Sequence, residues 1–139
     1  MARAGFLAVV KTGPDRSGAL GAIRVAIADH PAWSKVAETP ALAAWIRGPL
    51  PWCRLGREGL LLGRWRAASP AEPDRAWDVV PARQAQRLLD DGWGEYVALL
   101  PVAADGGCAV LRDPSGLLGA LAWRWTDGVW IVASDYRAV

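Results

Sequence analysis

Asparagine is absent from this chain, histidine occurs once, cysteine twice, and no long hydrophobic run is present. Each shortage excludes something. The lone His30 precedes Pro31 at the end of an expected helix and reads as a surface or capping side chain. A Ser-His-Asp or Cys-His centre therefore has no recognisable frame. Cys53 and Cys108 stand far apart with no second cysteine or histidine nearby, so no zinc spacing and no CxxC motif can be built. Buried free thiols are expected, with a disulfide as the alternative. No stretch approaches ~18 apolar residues free of charge and proline, which excludes a membrane-spanning helix. Basic and acidic residues nearly cancel, 16 against 14 for a net charge of +2. That leaves no electrostatic case for nucleic acid or a membrane surface as partner. Only Lys11 and Lys35 are lysines; with abundant alanine and no asparagine, this is the bias of a GC-rich coding sequence. Gly56-Arg57-Glu58-Gly59 followed by Gly63 is glycine-rich but fits neither the Rossmann nor the P-loop pattern. Neither cofactor nor metal is expected. No cleavage-site pattern follows the first residues, so a cytoplasmic location is expected.

What is present is material for one packed domain spanning 1–139. Hydrophobic residues make up 53% of the 139 positions and charged residues 22%, which excludes disorder for most of the chain. Phe6–Val10 is short, apolar and stopped by Thr12-Gly13-Pro14, and so reads as a buried first strand. Leu20, Ile23 and Ile27 fall at helical spacing between Ser17 and Ala28. Residues 31–47 fit either short strands or a broken helix. Gly59–Trp65 reads as a strand, Ala67–Pro73 as a loop, and Pro81–Leu89 as a helix with proline in its first turn. Strands follow at Glu95–Leu100, Cys108–Arg112, Gly119–Trp125 and Val129–Ala133. Their Gly/Asp connectors argue for an antiparallel meander. The fold class is α+β with a strand-rich second half.

Nine tryptophans are spread along the chain. Trp123 and Trp125 share one side of a strand and Trp130 lies on the next, the alternation of a covered sheet face. The alternative is an exposed aromatic patch that docks a partner.

Three segments carry more than composition: Asp91-Gly92-Trp93-Gly94-Glu95-Tyr96-Val97-Ala98-Leu99-Leu100, Val110-Leu111-Arg112-Asp113-Pro114-Ser115-Gly116, and Ile131-Val132-Ala133-Ser134-Asp135-Tyr136-Arg137-Ala138-Val139. In this order they resemble the end of the glutamine amidotransferase domain of asparagine synthase-like proteins. The resemblance is nearest to the asparagine synthase-related proteins of lasso-peptide clusters and covers about Gly59 to Val139. It implies an N-terminal-nucleophile hydrolase-like (class II glutamine amidotransferase) sandwich of two antiparallel sheets with flanking helices. It also implies glutamine hydrolysis that delivers ammonia to an ATP-using synthetase domain.

The residues for that reaction depart from the family pattern. The family's nucleophile is a cysteine freed at the N-terminus by removal of Met1, and Ala2 stands there. The glutamine-holding "N-G-E" appears as Leu62-Gly63-Arg64, an apolar chain and a cation in place of an amide and a carboxylate. Arg47-Gly48-Pro49-Leu50 echoes the family's "R-G-P-D", whose arginine binds the glutamine carboxylate, with Leu50 in place of the acid. Arg47, Leu62, Gly63 and Arg64 are thus vestigial glutamine-site positions, and no catalytic residue is expected. The resemblance points to a non-catalytic accessory domain whose protein partner is an ATP-dependent amide-forming synthetase. In that role Trp123, Trp125 and Trp130 are the candidate docking residues. The alternatives are a vestigial-pocket binder of a small molecule or leader peptide, and a glutaminase with a relocated cysteine. A homodimer through the Trp-rich sheet is also compatible with the sequence.

Overall fold

The computed structural model describes residues 4–11, 18–28, 30–39, 42–56, 58–68, 81–102, 107–126 and 128–134. Along these the chain forms β1 (Gly5–Lys11), α1 (Ala19–Ala28), β2 (Ser34–Glu38), β3 (Leu42–Arg47), β4 (Trp52–Leu55) and β5 (Gly59–Ala67). It continues through α2 (Pro81–Asp90), β6 (Gly92–Val102), β7 (Gly107–Arg112), β8 (Leu121–Thr126) and β9 (Val129–Ala133). The strands make two antiparallel sheets, a first of order β2-β3-β1-β9-β8 and a second of order β4-β5-β6-β7. The fold is α+β with strands predominating.

Apolar runs without alternation are explained by burial on both faces of a sheet. In β1, Phe6, Ala8 and Val10 turn toward the second sheet and meet Leu60, Leu62, Val97 and Leu99. Leu7 and Val9 turn the other way, into a cluster with Trp45 and Ile23 of α1. On the second sheet, Leu61, Tyr96, Ala98 and Leu100 face away from the first and pack with Leu88 of α2. The layers therefore run helix, sheet, sheet, helix. Each fully buried leucine contributes on the order of 2 kcal/mol. Trp65 fastens α2, its indole N–H donating to the Leu88 carbonyl at 2.9 Å while Arg87 lies 5.9 Å from its ring centroid.

Both edge strands of the first sheet carry a break in register, between Lys35 and Ala37 in β2 and between Arg124 and Thr126 in β8. Such bulges twist an edge away from unwanted pairing. Glu38 at the end of β2 holds Arg24 of α1 at 2.7 Å and Lys35 at 2.9 Å.

Residues 31–47, open in sequence between strands and a broken helix, contain β2 and β3. Thr39 and Leu42 close the turn between them, the Thr39 N–H donating to the Leu42 carbonyl at 2.7 Å. The last four strands are not one meander. β6 and β7 stay in the second sheet, whereas β8 and β9 pair in the first. The chain crosses between sheets because Asp113, Pro114 and Gly116 end the β7 ladder in a tight turn. Leu118 and Ala120 then pack against the inter-sheet core on the way across. The expected cap Ser17, the end of the 67–73 loop, Trp77 and the closing residues 135–139 lie outside the described residues.

Candidate functional site

The four positions that the resemblance marks as a vestigial glutamine site do not share one environment. Leu62 points into the inter-sheet core and is 0% exposed. Gly63 follows with φ of 101°, and its N–H donates to the Pro51 carbonyl at 2.8 Å, so the 48–51 connector runs against β5. Arg64 is exposed at the end of the inner face of the second sheet. Arg47, at the end of β3, stacks on Trp33 at 5.0 Å, and Trp33 packs on the outer cluster of the first sheet. Arg47 and Arg64 therefore belong to different faces of the sandwich and do not converge.

The start of β1 is closed by side chains. The Phe6 N–H donates to Ser134 Oγ at 3.1 Å, and the Ser134 N–H donates to the Phe6 carbonyl at the same distance. A Cβ on Gly5 would lie 2.7 Å from Ser134 Oγ and 3.2 Å from Arg47 Nη2. The serine of the Val132-Ala133-Ser134 motif thus ties the last strand to the first.

Asp113 holds the other motif. Its carboxylate is buried and accepts from the Tyr96 N–H at 2.9 Å, the Gly116 N–H at 3.1 Å and the Ser115 hydroxyl. The Arg112 guanidinium donates to the Gly116 carbonyl at 2.9 Å. This bracket fixes the turn that carries Ser115 and Leu117.

That turn forms one wall of a groove of about 410 Å³, whose other walls are Arg64 and Arg66 of β5 and Trp93, Gly94 and Glu95 of β6. Of these, sequence names only Arg64 as a site position, and Trp93, Gly94, Glu95 and Ser115 only as motif residues. The signal for the rest is periodicity: Arg64 and Arg66 continue the face of Leu62, and Glu95 and Trp93 continue the face of Val97.

The three candidate docking tryptophans do not share a patch. Trp123 pairs with Ile131 and joins the outer cluster, whereas Trp130 pairs with Arg124 and packs on the inter-sheet core. One step of register puts them on opposite faces. Trp125 sits in the register break of β8 and is 49% exposed. His30 is exposed, and the Ala32 N–H donates to its Nδ1 at 3.3 Å, a turn contact.

Both thiols are free, but neither is fully buried as expected: Cys53 is exposed and Cys108 partly buried. Burial pushes the Cys108 thiol up to about 12, and it also raises that of Cys53. The nucleophilic form is the thiolate, so neither cysteine is activated. In neutral buffer a disulfide-exchange reagent is expected to titrate Cys53 and to reach Cys108 only in denaturant. Equal rates for both thiols in the folded protein would contradict this. Among the described residues no three His, Cys, Asp or Glu side chains gather as a metal site. No helix among them is long and apolar enough to cross a membrane. No family model matches the chain, and neither a curated protein nor a solved structure matches it.

Proposed function

We propose that this chain is a non-catalytic, class II glutamine amidotransferase-like domain that serves an ATP-dependent, asparagine synthase-like amide-forming enzyme as an accessory or docking unit, in peptide natural-product biosynthesis. The helix, sheet, sheet, helix order with antiparallel sheets supports the N-terminal-nucleophile hydrolase class that the resemblance implies. The observation that carries the non-catalytic reading is Leu62. At the position of the family's glutamine-holding amide, the side chain is part of the inter-sheet core and 0% exposed. Arg47 stacks on Trp33 rather than facing Arg64. A scaffold without these groups acts through its surfaces.

Two measurements test the reading together. The tagged 139-residue chain, purified natively from its own cell extract, is expected to bring down an ATP-dependent amide-forming enzyme in stoichiometric amount. The purified chain is expected to release no ammonia from glutamine. Recovery of the chain alone would overturn the accessory role, and ammonia release abolished by Cys53→Ala or Cys108→Ala would overturn the non-catalytic one.

A further inference from the structure

The inner face of the second sheet is longer than the first sheet covers. Leu62 and Val97 are buried between the sheets, but the same face continues with Arg64 and Arg66 on β5 and Glu95 and Trp93 on β6. Their register sets a block of four, with Arg64 opposite Glu95 and Arg66 opposite Trp93. With Ser115 and Leu117 this block encloses the groove of about 410 Å³, a size within the range of about 300–1,000 Å³ for ligand clefts. Its apolar walls are open, Trp93 being 61% and Leu117 72% exposed. The Arg66 guanidinium lies 5.6 Å from the Trp93 ring centroid. Among the described residues no carboxylate forms an ion pair with Arg64 or Arg66, Glu95 included.

Spacing and sign decide what this groove fits. Arg64 and Arg66 stand two residues apart on one strand, a repeat of about 7 Å, which is also the repeat of alternate side chains on an extended peptide. Guanidinium forks beside an indole are suited to carboxylates carried on apolar stems. A continuous phosphate backbone fits worse, because the Glu95 carboxylate stands in the block and a net charge of +2 gives little long-range attraction. We propose that the groove binds an extended acidic peptide segment with carboxylates at alternate positions. The segment lies along β5 with its carboxylates on Arg64 and Arg66, and the surfaces of Trp93 and Leu117 cover its methylenes. This site does not depend on the amidotransferase reading; it needs only the groove.

The test is fluorescence anisotropy of two labelled octapeptides on the full chain, one alternating glutamate with serine and the other glutamine with serine. The glutamate peptide is expected to bind about tenfold more tightly. The Arg64→Gln, Arg66→Gln double variant should lose about that factor, and Trp93→Ala about fivefold. Glu95→Gln, which removes the carboxylate among the described lining residues, should gain about threefold. All four side chains are on the surface, and an unchanged thermal midpoint verifies that each variant folds. Equal affinity for the two peptides, no effect of the double variant, or tighter binding of an oligothymidylate would overturn the proposal.

Discussion

Gly63→Ala and Gly94→Ala are each expected to cost more than about 4 kcal/mol and to lower the thermal midpoint by more than about 10 °C. At Gly63 the backbone is left-handed, with φ of 101°, a conformation an L side chain occupies only under strain. An added Cβ there would also run into the Glu95 carbonyl oxygen and come within 3.0 Å of the Tyr96 Cα. At Gly94 the added Cβ would strike the Arg64 carbonyl oxygen, with the Trp65 Cα at 2.9 Å. The obstacles are backbone atoms of the neighbouring strand, so no rotamer change relieves them. Relief requires parting β5 from β6, whose pairing runs from Leu60 with Leu99 to Ala67 with Gly92. Gly21 in α1 is the control: nothing lies within 4 Å of its added Cβ. Gly21→Ala should therefore stabilise by about 0.5–1 kcal/mol through helix propensity. Denaturant unfolding of the three variants measures all of this. Midpoints for Gly63→Ala and Gly94→Ala close to that of the parent would show that the two strands are not held so tightly.

Asp113→Ala is the second large effect, an expected loss of about 3 kcal/mol. The carboxylate receives three donors, and the most consequential is the buried Tyr96 N–H, which loses its acceptor once the oxygen at 2.9 Å is gone. An unpaired buried amide carries its full desolvation penalty. Asp113→Asn keeps one acceptor oxygen and the shape, and is expected to lose about half as much. Because the turn also carries Ser115 and Leu117, Asp113→Ala should weaken binding of the glutamate peptide as well. A loss below about 1 kcal/mol in the alanine variant would mean that the bracket is replaceable by water.

The parts of this fold that were legible in the sequence are those whose signal is local. Within the expected strands Phe6–Val10, Gly59–Trp65 and Glu95–Leu100, the runs Phe6–Val10, Leu60–Leu62 and Tyr96–Leu100 are apolar on consecutive positions because both sheet faces are covered there, and short runs between glycines and prolines admit little else. Pro81 and Asp91-Gly92 bracket α2 in the same way. β2 was not legible, because an edge strand needs one apolar face only weakly: Ser34, Lys35 and Glu38 are exposed and Ala37 alone is buried. The crossing from β7 to β8 was hidden for a different reason. A Gly/Pro/Asp turn looks the same whether the next strand pairs with the previous one or joins another sheet. Pairing register, likewise absent from the sequence, decides that Trp123 and Trp130 face apart and that Arg66, Trp93 and Glu95 join Arg64. Asp113 and Ser134 were visible as motif residues, yet the structure gives them backbone-bracketing roles that no spacing announced.

The pairing of β1 between β3 and β9 has a kinetic side. The bond from the Phe6 N–H to Ser134 spans 128 positions, whereas β4, β5, β6 and β7 pair in simple succession. Closing short loops costs less entropy than closing one that spans nearly the whole chain, so the second sheet is the faster to assemble. During synthesis β1 precedes β9 and receives that partner only when Val129–Ala133 emerges. Until then one edge of an almost wholly apolar strand stays open to pairing with other chains. The β8–β9 hairpin is thus the latch that closes this edge.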